Sequence, residues 1–267
     1  MAEEIYLFID FDGTINDGDL LLERHVRELA ALLAVSAGGG VAAWEAVLPG
    51  ACARSETRYR ERFVGAPLAG YTAWLNEERD RMTREVFAEA GVPLPRDESP
   101  ADFGKRMQFD ALTGVSAAYP GALSALRSLF EDGVRTQLAS GHNSEYLLAA
   151  LIGAGVESYT ESKFGPDLVD CAKEGPEYYR RIMDACGADP QRSVVVDDLP
   201  ACLEWAREAG ASVIQARIRP SAPEQTEHTV MADLADLPRL VREVVEGRTG
   251  AVARGQCEPR RSPGGTG

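Results

Sequence analysis

The chain has 267 residues, 45% of them hydrophobic and 26% charged, which is the composition of an ordinary soluble globular protein and excludes a fibrous or largely disordered one. Its length suits one large domain or two small ones. The formal net charge of -14 argues against broad contact with nucleic acid, whose phosphates require a basic surface. An acidic protein that handles a small anionic substrate needs local cations or a bound metal.

Cysteine usage and the N-terminus bear on the compartment. The five cysteines, at positions 52, 171, 186, 202 and 257, are odd in number, widely spaced and without a CxxC pair. This pattern indicates reduced thiols, with no disulfide framework and no zinc knuckle. The N-terminus carries acids where a signal peptide carries bases, and no stretch approaches the roughly 18 apolar residues of a membrane span. We therefore expect a cytoplasmic protein that binds neither membrane nor nucleic acid.

The first predicted strand, residues 5–9, runs directly into two carboxylates. Asp10 and Asp12 point to the same side if the strand geometry continues, because side chains alternate with a period of two. Two like charges held this close are costly unless a cation lies between them, or unless one carboxyl keeps a proton for use as an acid. The pair therefore predicts metal binding or acid–base chemistry.

A long helical segment follows this strand. We find no convincing strand between residues 17 and 112. Ligands of open α/β sheets bind at the carboxyl ends of the strands, so an insertion at this place lies over the site. We predict a helical cap over residues 17–112 that acts as a lid. Its helical patterns cover residues 20–34, 54–63 and 71–90, with breaks predicted at 38–40, 49–50 and 93–95.

The remainder of the chain alternates strands with helices of about ten residues, which predicts βαβ units and a parallel sheet. The predicted fold class is α/β, a Rossmann-like doubly wound sheet formed by residues 1–16 and 113–248. The tail, residues 249–267, lacks apolar periodicity and is predicted to be disordered. The later predicted strands are 134–139, 193–196 and 212–216, with a weaker one at 157–160, and the helices are 121–131, 144–152, 175–186, 201–209 and 233–245.

Polar residues stand at the ends of the later strands. Ser140 and Gly141 follow the second strand, the pair Asp197 and Asp198 follows the run SVVV, and Lys173 precedes the helix that leads into that run. Four carboxylates in one cleft repel each other unless a hard divalent cation joins them, and oxygen-only ligation favours Mg²⁺. A lysine beside such a metal suits a phosphate group, whose oxygens a hydroxyl and backbone N–H groups can bind.

Four short motifs of the chain resemble those of the haloacid dehalogenase superfamily in type, order and spacing. The resemblance covers residues 5–14 and 119–216, and the helical insertion is similar to the family's cap after the first motif. Most members are Mg²⁺-dependent phosphatases and phosphomutases. The matching residues are 10–14 (DFDGT) for the first motif, Ser140 for the second, Lys173 for the third and Asp197-Asp198 for the fourth.

The resemblance implies roles for the first two acids. Asp10 would be the nucleophile that becomes an aspartyl-phosphate, and Asp12 would protonate the leaving oxygen and then deprotonate water. The dehalogenases that gave the superfamily its name lack this second Asp, so the resemblance favours phosphoryl transfer. By the same resemblance, Ser140, Gly141 and Lys173 would bind the phosphoryl group, and Asp10, the backbone carbonyl of Asp12, Asp197 and Asp198 would hold Mg²⁺.

Two positions depart from the family pattern. The third motif commonly reads Lys-Pro, whereas Lys173 is followed by Glu174, and Lys163 is a rival ten residues earlier. The spacing to Asp197 favours Lys173. Cys202 stands where a further Asp would stand in the Gly-Asp-x-x-x-Asp form of the fourth motif, so only the Asp-Asp form is present.

Several neighbouring residues have plainer interpretations. His142 follows Ser140-Gly141 but has no other histidine at metal-binding spacing, so we interpret it as a loop or capping residue. Asn16 and Asp17 favour turns and helix N-caps. Asp197 and Asp198 can also cap the helix that follows them, which is compatible with metal binding.

In the cap, Arg54, Arg58 and Arg62 are spaced i, i+4, i+8 on one helix face. Such a stripe is more often a solvated face, and the alternative is that one arginine reaches an anionic end of the substrate as the lid closes. We interpret four aromatic residues of the cap as core packing residues, in preference to a site that stacks on a ligand: Trp44, Tyr59, Tyr71 and Trp74.

Together these features predict a Mg²⁺-dependent phosphatase that acts on a small phosphorylated metabolite, because a lid admits little bulk. Two alternatives stay open: a phosphomutase of the same fold, and a regulatory or binding protein that keeps the fold and turns over poorly. The intact Asp10 and Asp12 pair favours an enzyme.

Overall fold

The computed structural model describes residues 4–219 and 228–255. Within them, six parallel strands form one sheet in the order β3-β2-β1-β4-β5-β6. The α/β fold class is therefore confirmed. The strands are β1 Tyr6–Ile9, β2 Arg135–Ala139, β3 Lys163–Phe164, β4 Ser193–Asp197, β5 Ser212–Ala216 and β6 Thr229–Met231.

β1 lies at the centre of the sheet, between β2 and β4. Ile9 is in register with Leu138 of β2 and with Val196 of β4. Since all three strands are parallel, the residues that follow them emerge at the same edge. This register places Asp10 beside the ends of β2 and β4.

Five helices separate β1 from β2, of which the first four form the insertion, and further helices cover the sheet. The helices inserted after β1 are α1 Gly18–Ala37, α2 Val41–Phe63, α3 Tyr71–Ala90 and α4 Pro100–Thr113. The later ones are α5 Ala122–Glu131, α6 Ser144–Ala154, the single turn α7 Pro166–Val169, α8 Pro176–Cys186, α9 Pro200–Glu208 and α10 Leu237–Gly255.

Alternating residues of β1 face the two layers of helices. Leu7 and Ile9 pack in a cluster with side chains of α5, α6 and α10, whereas Tyr6 and Phe8 pack on the opposite side with side chains of α8 and α9. All four are at most 6% exposed. A strand covered on both faces needs apolar residues at every position, which is why β1 reads as a continuous apolar run.

The helices inserted after β1 have a hydrophobic cluster of their own. Trp44 of α2 packs edge-on against Phe87 of α3, with ring centroids 5.0 Å apart, and Phe87 packs against Phe103 of α4. Trp44 is fully buried, as the packing interpretation predicted. These contacts hold α1 to α4 together beside the carboxyl edge of the sheet.

Three predictions for local structure were wrong. Residues 157–160 contain no strand, because Tyr159 and Thr160 direct their N–H groups to carbonyls three residues back, and the edge strand lies further on at Lys163–Phe164. The predicted break at 49–50 is absent, since α2 continues through Pro49 with Leu48 and Ala51 buried on one face.

The third error concerns the tail, where α10 continues to Gly255 and the boundary predicted at residue 249 lies inside the helix. Residues 256–267, the rest of the predicted tail, lie outside the described residues. The sequence also gave no prediction for α4 or β6. For α4 a signal was present, because Ser99 caps the helix by accepting the Asp102 N–H and Pro100 occupies the first turn.

The four described cysteines are free thiols, as predicted, and Cys257 lies outside the described residues. In the part of the chain that the structure describes, none of the helices combines the length and apolar character needed to cross a bilayer.

Candidate active site

The carboxyl edge of the sheet brings Lys173 between two acids. Its Nζ donates to Oδ1 of Asp10 and to Oδ2 of Asp197, each at 2.7 Å, and to the carbonyl of Ala139 at 2.8 Å. Lys173 itself is only 7% exposed. Burial opposes the charge of the Lys173 ammonium, but Asp10 and Asp197 outweigh it and raise its pKa well above the usual value. A buried ammonium is therefore fixed beside Asp10.

The rival lysine lies elsewhere. Lys163 donates to a carboxylate oxygen of Glu157 at 3.3 Å and to the carbonyls of Thr160 and Glu161 at 3.0 and 3.2 Å. These contacts close the turn before β3. Between the two candidates, the geometry thus brings Lys173 to Asp10 and leaves Lys163 in a structural role.

Three buried carboxylates meet at this edge. Asp10, Asp197 and Asp198 each offer one oxygen within 4.8 Å of the others. Burial raises the pKa of Asp10 to about 8 against the opposing charge of Lys173, and burial also raises the pKa of Asp198. Both shifts mean that burial makes the ionised carboxylates costly here, and the negative charge of neighbouring Asp197 adds to that cost. Oxygen ligands alone, close together and short of positive charge, fit a hard divalent cation.

Asp12 is held by two side chains. Nδ2 of Asn16 donates to its Oδ1 at 2.9 Å, and Nε2 of His142 lies 2.7 Å from its Oδ2. Burial favours the neutral acid, but the hydrogen bonds to His142 and Asn16 and the positive charge of His142 lower the pKa of Asp12. The same contact raises the pKa of His142 against the effect of its own burial.

Ser140 and Gly141 line the space next to Asp10. Ser140 is 3% exposed, and its Oγ accepts the backbone N–H of His142 at 3.3 Å. A Cβ on Gly141 would meet no atom within 4 Å, and Gly141 lines the cavity above the acids. A phosphoryl group can approach both residues.

Gly13 permits the close approach of Asp198. Its φ is +79°, and a Cβ there would lie 2.3 Å from Oδ2 of Asp198. The same carboxylate oxygen accepts from Nη2 of Arg219 at 2.8 Å. The glycine of the DFDGT motif is thus required by backbone conformation and by packing.

A cavity of about 500 Å³ joins the acids to the inserted helices. Its floor includes the acids and the Ser140 loop, and its roof comes from α2, α3 and α4. Across the gap, the hydroxyl of Tyr59 donates to Glu174 at 2.9 Å. The roof combines aromatic and apolar side chains with polar and charged ones: Ser55, Glu56, Tyr59, Tyr71, Trp74, Leu75, Glu78, Arg79, Met82, Thr83 and Gln108. The aromatic residues predicted to pack in the cap therefore also face the cavity, except Trp44.

The arginine stripe of α2 is a solvated face only in part, since Arg62 is exposed and Arg58 is mostly buried. Arg54 and Arg58 pair with carboxylates of α3, of which the Arg58–Glu78 pair is largely buried. Arg62 donates to the carbonyls of Pro67 and Ala69. None of the three lines the cavity. They hold α2 against its neighbours, so the prediction that one of them reaches a substrate is not supported.

Three residues of the site were missed or misjudged from the sequence. His142, interpreted as a loop or capping residue, contacts Asp12. Arg219, which pairs with Asp198, stands three residues after the predicted strand 212–216, so the strand-end rule applied to Ser140 would have found it. Arg79 lines the cavity from α3 and bridges to Asn143 and Glu145 at 3.2 and 2.7 Å, and nothing in the sequence pairs it with them.

Solved structures share this fold at low sequence identity. A defluorinating L-2-haloacid dehalogenase, Rha0230, superposes with a TM-score of 0.61 at 19% identity, over 90% of this chain and 96% of that one. The L-2-haloacid dehalogenase of Xanthobacter autotrophicus gives 0.54 at 19%, over 90% and 99%. The HAD hydrolase YfnB of Bacillus subtilis, solved bound to magnesium, gives 0.56 at 13%, over 90% and 99%. At these identities the likeness concerns the fold alone.

Sequence comparison adds a relative and a family. A phosphoglycolate phosphatase of Rhodospirillum rubrum is 30% identical over 105 residues, which is 39% of this chain and 43% of the relative. The match thus spans less than half of that protein. The family model for haloacid dehalogenase-like hydrolases matches residues 6–210, from β1 to the end of α9 and beyond. With this match and the clustered motif residues, the chain belongs to the haloacid dehalogenase-like hydrolases.

Proposed function

We propose that the protein is a Mg²⁺-dependent phosphatase of small phosphate monoesters. The observation that carries the proposal is Asp12, a second acid held at the mouth of the cavity two residues from Asp10. An ester hydrolysis needs a proton donor for the leaving oxygen, and Asp12 offers one. The phosphatase relative is in keeping with this choice, while the dehalogenase neighbours speak only for the fold.

In this proposal Asp10, Asp197 and Asp198, with the backbone carbonyl of Asp12, would hold the metal. When bound, it would neutralise part of the phosphoryl charge, which the single ammonium of Lys173 does not balance beside three carboxylates. Ser140, Gly141 and Lys173 bind phosphoryl oxygens by hydrogen bonds and charge.

The chain's own residues then perform two displacements. Lys173 holds Oδ1 of Asp10, so Oδ2 attacks phosphorus. The ester P–O bond breaks, and the proton of Asp12 passes to the leaving oxygen. The phosphate dianion favours protonated Asp12 before this step by raising the pKa of its carboxyl. In the second step Asp12 takes a proton from water, whose oxygen attacks phosphorus and frees Asp10 and inorganic phosphate.

The inserted helices act as a lid that covers the acids and excludes water from them during the reaction. A cavity of about 500 Å³ accepts an organic leaving group whose body packs against Tyr59, Trp74 and Met82. We propose that residues 17–112 form this cap, and that the cavity beneath it selects small esters over phosphoproteins. The expected partner is a small phosphorylated metabolite, handled in the cytoplasm.

The test is release of inorganic phosphate from a panel of small monoesters, with and without Mg²⁺, by the native protein and by Asp10→Asn. We expect release that requires both the metal and Asp10. Halide release from 2-haloacids is measured in parallel, because dehalogenases share the fold. Halide release without phosphate release would contradict the proposal. Exchange of phosphate between two positions of a sugar would support a mutase instead, and metal binding without any turnover would support a regulatory protein.

A further inference from the structure

We propose that His142 is a positioning residue for the proton-transfer step, acting by fixing the orientation of the Asp12 carboxyl. This inference rests on the proposed phosphatase function and concerns the same site. In this inference His142 acts on Asp12 alone, and only where the leaving oxygen needs a proton. Its effect can therefore be distinguished from a general effect on folding or substrate binding.

Both carboxylate oxygens of Asp12 are in hydrogen-bonding contact with a neighbouring side chain. Asn16 donates to Oδ1 at 2.9 Å from within the same loop, and His142 contacts Oδ2 at 2.7 Å from the loop before α6. Rotation of the carboxyl about χ2 would break both contacts. The two contacts therefore restrict the Asp12 carboxyl to one orientation. A proton donor requires such an orientation, because it must lie within hydrogen-bonding distance of the leaving oxygen.

His142 is itself held in place. Its ring stacks on Tyr146 of α6, with centroids 4.1 Å apart and planes 14° from parallel. Its backbone N–H donates to Ser140, and its carbonyl lies so close to Gly165 that a Cβ there would come within 2.3 Å. The imidazole is therefore aimed by packing, which is what a residue that orients another one requires.

The two acids are held by different partners. Lys173 contacts Asp10 and Asp197, whereas the contact of His142 is with Asp12. Removal of the imidazole should therefore leave the nucleophile in place and disturb the acid. The leaving-group oxygen reports the difference, because a good leaving group departs without a proton and a poor one does not.

Two substitutions separate the ring from its N–H group. His142→Phe keeps an aromatic ring to stack on Tyr146 and removes the donor. His142→Gln removes the ring and keeps an amide N–H that can reach Asp12. His228→Gln is the matched control, because its ring lies 3.1 Å from Glu204 of α9 and His228 is not among the described residues that line the cavity. Circular dichroism and thermal melting establish that each variant is folded.

The experiment measures formation of the aspartyl-phosphate by rapid quench, with an alkyl phosphate and with p-nitrophenyl phosphate. For His142→Phe we expect a loss of roughly 10- to 100-fold with the alkyl ester, as part of the usual contribution of general acid catalysis. The p-nitrophenyl ester should lose less than about threefold, and KM should change little. His142→Gln should recover most of the loss, and His228→Gln should match the native protein.

A double-mutant cycle with Asp12→Asn completes the test. If His142 acts through Asp12, adding His142→Phe to Asp12→Asn should cost little more, whereas independent roles would add. Equal losses for both esters, no recovery in His142→Gln, or additive losses would each overturn the inference and leave the phosphatase proposal standing. No phosphoenzyme and no phosphate release from the native protein would overturn both.

Discussion

At the scale of single residues, the two acids of the DFDGT motif share a strand end but not an environment. Asp10 lies against Lys173 in a buried group of charges, whereas Asp12 lies between Asn16 and His142 at the cavity. The two-residue spacing explains why both acids reach the same place. Burial raises the pKa of Asp10, whereas the hydrogen bonds to His142 and Asn16 outweigh burial and lower that of Asp12. A cation bound beside Asp10 would favour its ionised form, which a nucleophile requires.

Gly13 provides a first prediction at this scale. Gly13→Ala forces a side chain into a backbone conformation with φ of +79° and drives Cβ into Asp198. We expect the free energy of unfolding to fall by about 1–3 kcal/mol from the backbone strain alone, and metal affinity to fall as Asp198 moves. Urea denaturation and Mn²⁺ titration measure the two effects. Gly141→Ala, where a Cβ meets open space, is the control for stability, and equal stability of the two variants would contradict the argument.

His25 provides a second prediction, on pH. It is buried in α1, its Nε2 has no hydrogen-bond partner among the described residues, and burial lowers its pKa to about 4, with the charge of His142 adding to the shift. The unfolded chain binds this proton near pH 6.5 and the folded one does not. Stability is thus full above about pH 6.5 and is lost as the pH falls toward 4.

Between pH 7.5 and 5 this single group should remove about 2 kcal/mol from the free energy of unfolding. His25→Leu removes the titrating ring, so its stability should fall less over the same interval. Urea denaturation at both pH values gives the comparison. Parallel losses in the native protein and His25→Leu would show that His25 does not carry this part of the acid sensitivity.

At the scale of elements, one arginine of α3 joins the inserted helices to the sheet domain. Arg79 donates to Asn143, which caps α6, and to Glu145 in the first turn of α6. Lys105 of α4 pairs with the same Glu145. Arg79 is 16% exposed and borders the cavity, so these contacts close one side of the site. The arginine stripe of α2, by contrast, serves packing between inserted helices.

Arg79→Gln should loosen this closure. We expect KM for a small ester to rise roughly three- to tenfold, about 1 kcal/mol of binding free energy, while kcat changes less because no acid of the site touches Arg79. Steady-state kinetics on the variant measure the split. Arg84→Gln is the matched control, since Arg84 of the same helix pairs with Asp80 one turn away and is not among the described residues that line the cavity. A loss confined to kcat would contradict the closure role.

At the scale of the whole molecule, an acidic chain concentrates three of its carboxylates in a buried group. The sheet topology is responsible, because adjacent parallel strands β2, β1 and β4 all end at one edge. Lys173 and Arg219 offset part of this charge. The remaining repulsion is an energetic cost that a bound divalent cation would relieve.

Mg²⁺ should therefore raise the thermal stability of the protein. Binding to the folded chain alone contributes about 2.7 kcal/mol at a hundredfold excess over Kd, and several degrees in Tm for a protein of this size. Calorimetry with and without Mg²⁺ measures the shift. Asp198→Asn should lose most of it, while Asp189→Asn, in a surface turn, should keep it. An equal shift in both variants would place the metal elsewhere.

Much of the fold was predictable because its signals are local. The strands at 134–139, 193–196 and 212–216 appear within a residue of their predicted bounds, since buried parallel strands require continuous apolar runs. The prediction of a strand at 157–160 was wrong because the actual edge strand has two residues, too few to be distinguished from a turn in the sequence. The prediction of a helix break at 49–50 was wrong because burial of the residues on either side of Pro49 outweighs the helix destabilisation that a proline causes.

The sequence by itself determined the family, the sheet and the identity of the acids, because motif spacing and strand ends can be identified from local sequence alone. Only the tertiary structure decided between Lys173 and Lys163, brought His142 to Asp12 and Arg219 to Asp198, and assigned the α2 arginines to packing. Each of these contacts joins residues far apart in sequence through side-chain direction. The register of neighbouring strands and the packing of loops set that direction, and neither is encoded in local periodicity.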